Sequence, residues 1–257
     1  MATFFWGWTF PVVKEAIVIM PVFAFLTVRF ALAALLMTVA NGKPARGLYK
    51  KGTLLGVLLF LSFAFQTLGL EQTSAANCAF ITGLNVLWVA ICSSPTRRTW
   101  LAVALGVCGL WLLAAPSKEA GVNIGDVLTL LCSFFIAAHI LVLNKLDKES
   151  CSVGLAQIQF SVVALLSFAT SLFAEDRFLP QQWTGELVFA LLITVLGATI
   201  FSFWAQTHYQ RYTTAVRAAL IFIMEPVFAA LFAVLFYQEE LPATAAVGAL
   251  LVFLAMV

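Results

Sequence analysis

The sequence has 257 residues, of which 63% are hydrophobic and only 10% are charged. Soluble domains carry about 25% charged residues, so this composition excludes a water-soluble globular protein and predicts a protein embedded in a lipid bilayer. The formal net charge of +2 is too small to indicate a nucleic-acid partner. The cysteines lie mostly in apolar stretches, which predicts free thiols and no disulfide framework.

Long apolar runs, bounded by proline, glycine and charged clusters, follow one another along the chain. Because these runs are long and do not alternate with polar residues, they predict helices and not strands. A helix of about 20 residues crosses a hydrocarbon core of about 30 Å. The sequence therefore predicts an all-α integral membrane protein with ten transmembrane helices, over residues 2–19, 21–40, 53–70, 74–92, 99–115, 126–144, 153–174, 186–207, 214–237 and 243–257.

An internal repeat relates the two halves of the chain. Thr73, Ala75, Ala79 and Ile81 return about 140 positions later as Thr213, Ala215, Ala219 and Ile221, and Asn85 falls on Glu225. We therefore expect residues 1–118 to form a first five-helix repeat and residues 119–257 a second. An odd number of crossings in each half makes the second repeat inverted relative to the first, with a central cavity between them.

The loop charges agree with this topology. If the N-terminus is cytoplasmic, Lys118 and Arg177 are the basic residues of the outside loops, while the inside loops hold Lys43, Arg46, Lys50, Lys51, Arg97, Arg98, Lys145, Lys148 and Arg211. An excess of Lys and Arg in inside loops is typical of multi-pass membrane proteins. The pattern predicts cytoplasmic N- and C-termini in a bacterial-type cytoplasmic (inner) membrane.

Several short motifs, taken in order, resemble the EamA-type proteins of the drug/metabolite transporter superfamily. They are Phe5-Trp6-Gly7 with Lys14, Arg29-Phe30, Gly69-Leu70 to Ala76, Gly125-Asp126, and Met224-Glu225-Pro226. The stretch after Ala90 departs from the family by being short, and Asn85 is a second departure. The resemblance implies a secondary transporter that moves a small organic solute, an amino acid or related metabolite, by alternating access, with export as the expected direction.

Glu225 is the clearest candidate for a functional group, because it lies near the centre of its predicted helix and a charge there is costly. Two interpretations are open. It can face the cavity, where it would bind a cationic group of the solute or exchange a proton, next to a bend at Pro226. Alternatively, it can form a structural ion pair with Arg29, which lies at a similar depth.

Other polar and aromatic residues within the helices are candidates for contact with the solute. The predicted substrate-binding set is Trp8, Gln66, Thr82, Asn85, His139, Trp204 and Glu225. The amides of Gln66 and Asn85 and the hydroxyl of Thr82 can instead form hydrogen bonds between helices, and the tryptophans can pack against neighbouring helices or lipid. His139 has no second ligand at metal-binding spacing, so no metal site is predicted; it is either a packed hydrogen-bonding group or a solute contact.

Two other classes of function compete with a transporter. A membrane-embedded enzyme acting on a lipid or apolar substrate is the first, but H-E-x-x-H, G-x-S-x-G and P-loop motifs are absent from the sequence. A solute channel is the second, and it would need a continuous polar lining. We predict no cofactor. The expected partners are the solute and the bilayer, with a proton or a counter-solute as the coupling species; the sequence sets no oligomeric state.

Overall fold

The computed structural model describes residues 1–93, 96–114, 123–146, 150–237 and 243–256. Within these ranges the chain forms ten helices and no strand. They are α1 (Ala2–Ile19), α2 (Val22–Asn41), α3 (Tyr49–Gln72), α4 (Ala75–Ser93), α5 (Arg97–Ala114), α6 (Ile124–Asn144), α7 (Ser152–Ala174), α8 (Gly185–Tyr212), α9 (Ala215–Phe222 and Met224–Tyr237) and α10 (Ala245–Leu254).

The predicted all-helical class is confirmed. Among the described residues, the eight helices α2 to α9 are long and apolar enough to cross a membrane, and α10 is a shorter apolar helix. The predicted bounds agree with the observed ones to within a few residues, except that α8 continues to Tyr212. The predicted ends at residues 115 and 257 lie outside the described ranges.

Side-chain caps set the starts of the helices that carry the site. Ser74 Oγ accepts a hydrogen bond from the backbone N–H of Asn77 at 3.1 Å, and Thr214 Oγ1 accepts one from Arg217 N–H at 3.3 Å. These caps satisfy N–H groups that have no partner within the first turn of α4 and of α9. The two helices related by the repeat therefore begin in the same way.

The helices pack in a pattern that is similar in the two halves. Helix α1 packs against α9, and α6 packs against both parts of α4. Helix α3 packs on α6, α2 packs on α7, and α5 packs on α10. Helices α1, α2, α3, α4, α6, α8 and α9 surround the centre of the bundle, while α5 and α10 lie to one side.

At each membrane face one side chain donates hydrogen bonds to two backbone carbonyls, an arrangement that we call a tie. We define the N-side as the face where α1 begins and the far side as the face where α1 ends. On the far side Lys14 Nζ donates to the carbonyl of Leu70 at 2.9 Å and also to that of Thr73. On the N-side Asn144 Nδ2 donates to the carbonyls of Gln210 at 3.3 Å and Thr213 at 2.8 Å. These pairs of carbonyls are equivalent in the repeat.

Candidate functional site

A cavity lies at the centre of the bundle and takes its walls from both halves of the chain. Its polar lining consists of Thr9, Arg29, Ser62, Gln66, Asn85, His139, Gln206 and Glu225, and its aromatic lining consists of Trp6, Phe63, Phe203 and Phe222. Leu59 and Ile136 complete the wall. A mostly apolar cavity with a few polar groups directed into it is typical of a small-molecule site.

Breaks in two helices position Asn85 and Glu225 at this cavity. Helix α4 is interrupted at Leu84, immediately before Asn85, and α9 is interrupted at Ile223, shortly before Glu225. The N-terminal part of α4 contacts the C-terminal part of α9, and the C-terminal part of α4 contacts the N-terminal part of α9, so the two helices run antiparallel. Interrupted helices at the centre of a membrane protein are tolerated where they line a cavity, and they are typical of transporter binding sites.

The amide of Asn85 is only half satisfied by the protein. Its Nδ2 donates to the carbonyl of Thr82 at 2.8 Å, while its Oδ1 is buried without a hydrogen-bond partner among the described residues. A buried amide oxygen without a partner is costly unless a water or a ligand reaches it. Asn85 therefore offers an acceptor at the cavity wall.

Arg29 is held at the wall by contacts that do not include Glu225. Its Nε donates to Thr199 Oγ1 at 2.8 Å, and its guanidinium carbon lies 4.7 Å from the centroid of the Phe63 ring. Its Nη2 atom is buried and has no hydrogen-bond partner among the described residues. The hypothesis of an Arg29–Glu225 ion pair is wrong for this structure, because Thr199 and the aromatic rings hold the guanidinium instead.

The acceptor Thr199 lies on an irregular part of α8. Residues Ile193–Phe201 form a π-helical segment, and Trp6 Nε1 donates to the carbonyl of Ala198 in that segment at 2.9 Å. A π-helix leaves its backbone groups in unusual positions and often lies at a functional site. This segment therefore anchors two residues of the cavity wall, Trp6 and Arg29, from the other half of the chain.

His139 lies in the cavity wall and is hydrogen-bonded there. It lines the cavity, and its Nε2 lies 2.7 Å from Gln159 Oε1 on α7. Gln159 in turn donates through Nε2 to the carbonyl of Leu155 at 3.2 Å, which leaves its Oε1 free to accept from His139. The imidazole is thus a hydrogen-bonded part of the wall. The described residues contain no group of three or more His, Cys, Asp or Glu that could hold a metal ion.

The structure brings Gln66, Asn85, His139 and Glu225 of the predicted set together at the cavity. Thr82 lies just behind the wall, where its Oγ1 accepts from Gln66 Nε2 at 3.4 Å. Trp8 instead stacks on Phe232 with ring centroids 5.0 Å apart, in a groove between α1, α8 and α9. Trp204 stacks on His208 at 5.8 Å.

Helix geometry explains why the tryptophans were misplaced. Trp8 is two residues beyond Trp6, which is about 200° around the helix, so only one of these two rings can face the cavity. Trp204 follows Phe203 and points about 100° away from it around the helix. Phe203 lines the cavity, whereas Trp204 stacks on His208. The sequence prediction selected the wrong member of each pair because the polar residues of these helices form no clear stripe along one face.

The cavity lining includes residues that are equivalent in the repeat. The sequence Ser62-Phe63-Ala64-Phe65-Gln66-Thr67 of α3 returns as Ser202-Phe203-Trp204-Ala205-Gln206-Thr207 of α8, with Ser, Phe, Gln and Thr unchanged. Phe63 and Phe203 both line the cavity, and so do Gln66 and Gln206. This recurrence was visible in the sequence and could have identified Gln206. Asn85 and Glu225 form a further equivalent pair, in which one member is neutral and the other is acidic.

Comparisons with known proteins agree with this architecture. The model of the EamA-like transporter family matches residues 1–115 and 123–257. A protein of Archaeoglobus fulgidus described as an uncharacterized transporter is 35% identical over 259 residues, which cover 98% of this chain and 81% of that protein. A solved structure described as "Crystal structure of protein" has a TM-score of 0.78 at 15% identity, covers 99% of this chain and 92% of its own, and supports the fold alone. The protein therefore belongs to the EamA-like transporter family and is an integral, multi-pass membrane transporter.

Proposed function

We propose that the protein is a secondary transporter that carries a small zwitterionic solute, an amino acid or a related metabolite, in the central cavity. The observation that supports this proposal most is that Arg29 and Glu225 line the same cavity, while Arg29 is held by Thr199. A charge at the centre of a membrane protein needs a partner. A solute with one carboxylate and one ammonium group supplies a partner to both.

Each end of such a solute has a chemically suitable place. The guanidinium of Arg29 offers Nη2, a donor without a partner among the described residues, to the carboxylate. Glu225 offers its carboxylate to the ammonium group, and the Oδ1 of Asn85 is a second acceptor. Hydrogen bonds between charged groups are shorter and stronger than those between neutral groups. The rings of Phe63, Phe203 and Phe222 would then surround the apolar part of the solute.

Movement of the solute is proposed to follow alternating access. The antiparallel contact of the two interrupted helices α4 and α9 supports this mechanism, because such a pair gives each half of the chain one helix break at the cavity. Cytoplasmic termini in an inner membrane are proposed from the distribution of Lys and Arg in the sequence. Export from the cytoplasm is proposed from the family to which the chain belongs. Glu225 is the one carboxylate among the described lining residues, so it is the proposed site at which a proton or a counter-solute would be exchanged.

Counterflow in proteoliposomes tests this proposal. Vesicles containing the purified protein are loaded with an unlabelled neutral amino acid, and the uptake of the same labelled amino acid is measured for each member of a panel. We expect transient accumulation of at least one zwitterionic amino acid, and none in protein-free vesicles. Flux of simple cations or neutral sugars, with no counterflow of any amino acid, would contradict the proposal.

A further inference from the structure

Gln206 and Phe222 stand at the boundary between the central cavity and a second space. That space opens on the N-side and is lined by residues that include Met1, Thr3, Tyr209 and Thr213. Gln206 and Phe222 line both the cavity and this N-side space. A solute that moves from the cavity into this N-side space therefore passes these two side chains.

The repeat supplies a comparison for this pair at the other end of the cavity. Gln66 is the equivalent of Gln206, and Thr82 is the equivalent of Phe222, because each pair is separated by the same shift along the sequence. On the far side Gln66 Nε2 donates to Thr82 Oγ1 at 3.4 Å, which joins α3 to α4. The side chain of Phe222 has no atom that could accept the corresponding bond. Helix α8 is therefore not tied to α9 in this way on the N-side.

The amide of Gln206 directs its donor to another residue and has an unused acceptor. Its Nε2 donates to Gln210 Oε1 at 3.0 Å, and Gln210 Nε2 donates to the carbonyl of Ile140 at 2.8 Å, so the orientation of the amide is fixed. The Oε1 atom of Gln206 is buried and has no hydrogen-bond partner among the described residues, and the residue as a whole is 7% exposed. A buried acceptor that is fixed in place and unpaired is suited to receive a donor from a ligand.

We propose that Gln206 and Phe222 form the N-side gate of the cavity and determine which solutes pass it. The ring of Phe222 limits the size of the solute, and the Oε1 of Gln206 accepts a hydrogen bond from an N–H or O–H group of the solute as it passes. This inference rests on the proposed function, because it requires that the solute occupies the central cavity. It adds two residues that the predicted substrate-binding set did not contain.

Transport of a small and a large amino acid tests whether the ring of Phe222 limits the size of the solute. Counterflow of alanine and of phenylalanine is compared for the wild type, Phe222→Ala and Phe222→Trp, with Phe236→Ala as a matched control in the separate groove between α1, α8 and α9. We expect Phe222→Ala to raise the ratio of phenylalanine to alanine transport, and Phe222→Trp to lower it, by about tenfold, the usual scale for steric discrimination in an apolar pocket. The Phe236→Ala control should keep the wild-type ratio.

A labelling experiment tests the gate without any transport. The exposed Cys92, Cys108 and Cys151 are replaced by Ser, which leaves the buried Cys78 and Cys132, and Thr9→Cys places a thiol in the cavity wall. We expect Phe222→Ala to increase the rate at which a water-soluble maleimide modifies this thiol from the N-side, and Phe236→Ala to leave the rate unchanged. Equal rates in both variants would overturn the gate.

The role of the amide is tested by Gln206→Leu, which keeps the approximate size of the side chain. We expect the concentration of amino acid needed for half-maximal counterflow to rise about tenfold, as for the loss of one hydrogen bond to a buried group. The Gln206→Glu variant retains an acceptor oxygen and should recover part of this loss. Wild-type counterflow combined with unchanged size ratios and an unchanged half-maximal concentration would reject the gate alone, whereas absent wild-type counterflow would reject the proposed function.

Discussion

The carbonyl oxygen of Glu225 lies directly against the backbone of Gly7, so that a Cβ atom added at Gly7 would stand 2.7 Å from it. Such a Cβ would also stand 2.7 Å from Phe228 Cβ and 2.8 Å from the backbone N of Ala229. Helix α1 therefore approaches α9 as closely as its backbone allows at the level of the cavity. The absence of a side chain at Gly7 is what brings Trp6 and Thr9 to the same cavity as Glu225.

Gly7→Ala should destabilise the protein by forcing α1 away from α9. The atoms that the added methyl meets belong mostly to the backbone of α9 and cannot rotate aside. Overpacking of this kind costs about 1 to 3 kcal/mol of folding free energy. The apparent melting temperature in detergent measures the effect, with Gly47→Ala as the control, because a Cβ at Gly47 has no heavy atom within 4 Å. Equal melting temperatures for the two variants would show that the close approach has no energetic consequence.

Glu225→Gln should reduce transport of a zwitterionic solute while the protein remains folded. The amide keeps the shape of the carboxyl group but loses the charge that would face the ammonium group. A hydrogen bond to a charged group contributes about 1.5 to 3 kcal/mol, so we expect a loss of about 10- to 150-fold in counterflow. Glu71→Gln, at the exposed end of α3, is the matched control. Normal counterflow by Glu225→Gln, at every solute concentration, would remove Glu225 from the site.

Arg29→Lys should impair transport although the positive charge is kept. A lysine cannot reproduce the bond from Nε to Thr199 Oγ1 together with the contact to the Phe63 ring, and Arg and Lys are not interchangeable at stacked sites. Thr199→Val removes only the acceptor and should give a smaller defect in the same direction. The half-maximal solute concentration is measured for both variants, and the exposed Arg46→Lys serves as the control. A wild-type value for Arg29→Lys would contradict a role in binding the solute.

Lys14→Met and Asn144→Leu should each lower stability, and their effects should add. Each variant removes a side chain that donates hydrogen bonds to two backbone carbonyls in its own half of the chain. One typical hydrogen bond contributes about 1 kcal/mol to the free energy of unfolding. Because the two ties lie at opposite membrane faces, their energies are expected to be independent. Unfolding of the two single variants and of the double variant provides the comparison. A double variant no less stable than either single variant would show that the ties are not independent.

The class of the protein and the ten helices could be predicted from the sequence, because apolar length and charged boundaries are local signals. The location of positions 85 and 225 at the cavity could be predicted for a different reason: a polar residue recurred at equivalent places in an otherwise apolar pattern. The orientation of α1 and α8 about their own axes could not be predicted, since their polar residues form only a weak amphipathic signal. That is why Trp8 and Trp204 were expected at the cavity in place of Trp6 and Phe203.

The environment of Arg29 shows a second limit of the sequence. Depth in the membrane follows from counting residues, and it placed Arg29 level with Glu225. Lateral position depends on packing between distant helices, and here the π-helical segment of α8 brings Thr199 to Arg29. No local pattern in the sequence predicted this π-helical segment. The two charges consequently share a cavity without forming the ion pair that their depths suggested.

The central claim, that one cavity binds both charged ends of a zwitterion, is tested most directly by removing one end of the solute at a time. Counterflow of an accepted amino acid is placed in competition with its analogue that lacks the amino group and with its analogue that lacks the carboxylate. In the wild type we expect both analogues to compete poorly with the labelled amino acid, and we expect Glu225→Gln to lose its discrimination against the analogue without the amino group. We expect Arg29→Gln to lose its discrimination against the analogue without the carboxylate. Competition by either analogue as strong as that of the unmodified amino acid in the wild type, or the same loss of discrimination in both variants, would contradict binding of both charged ends in one cavity.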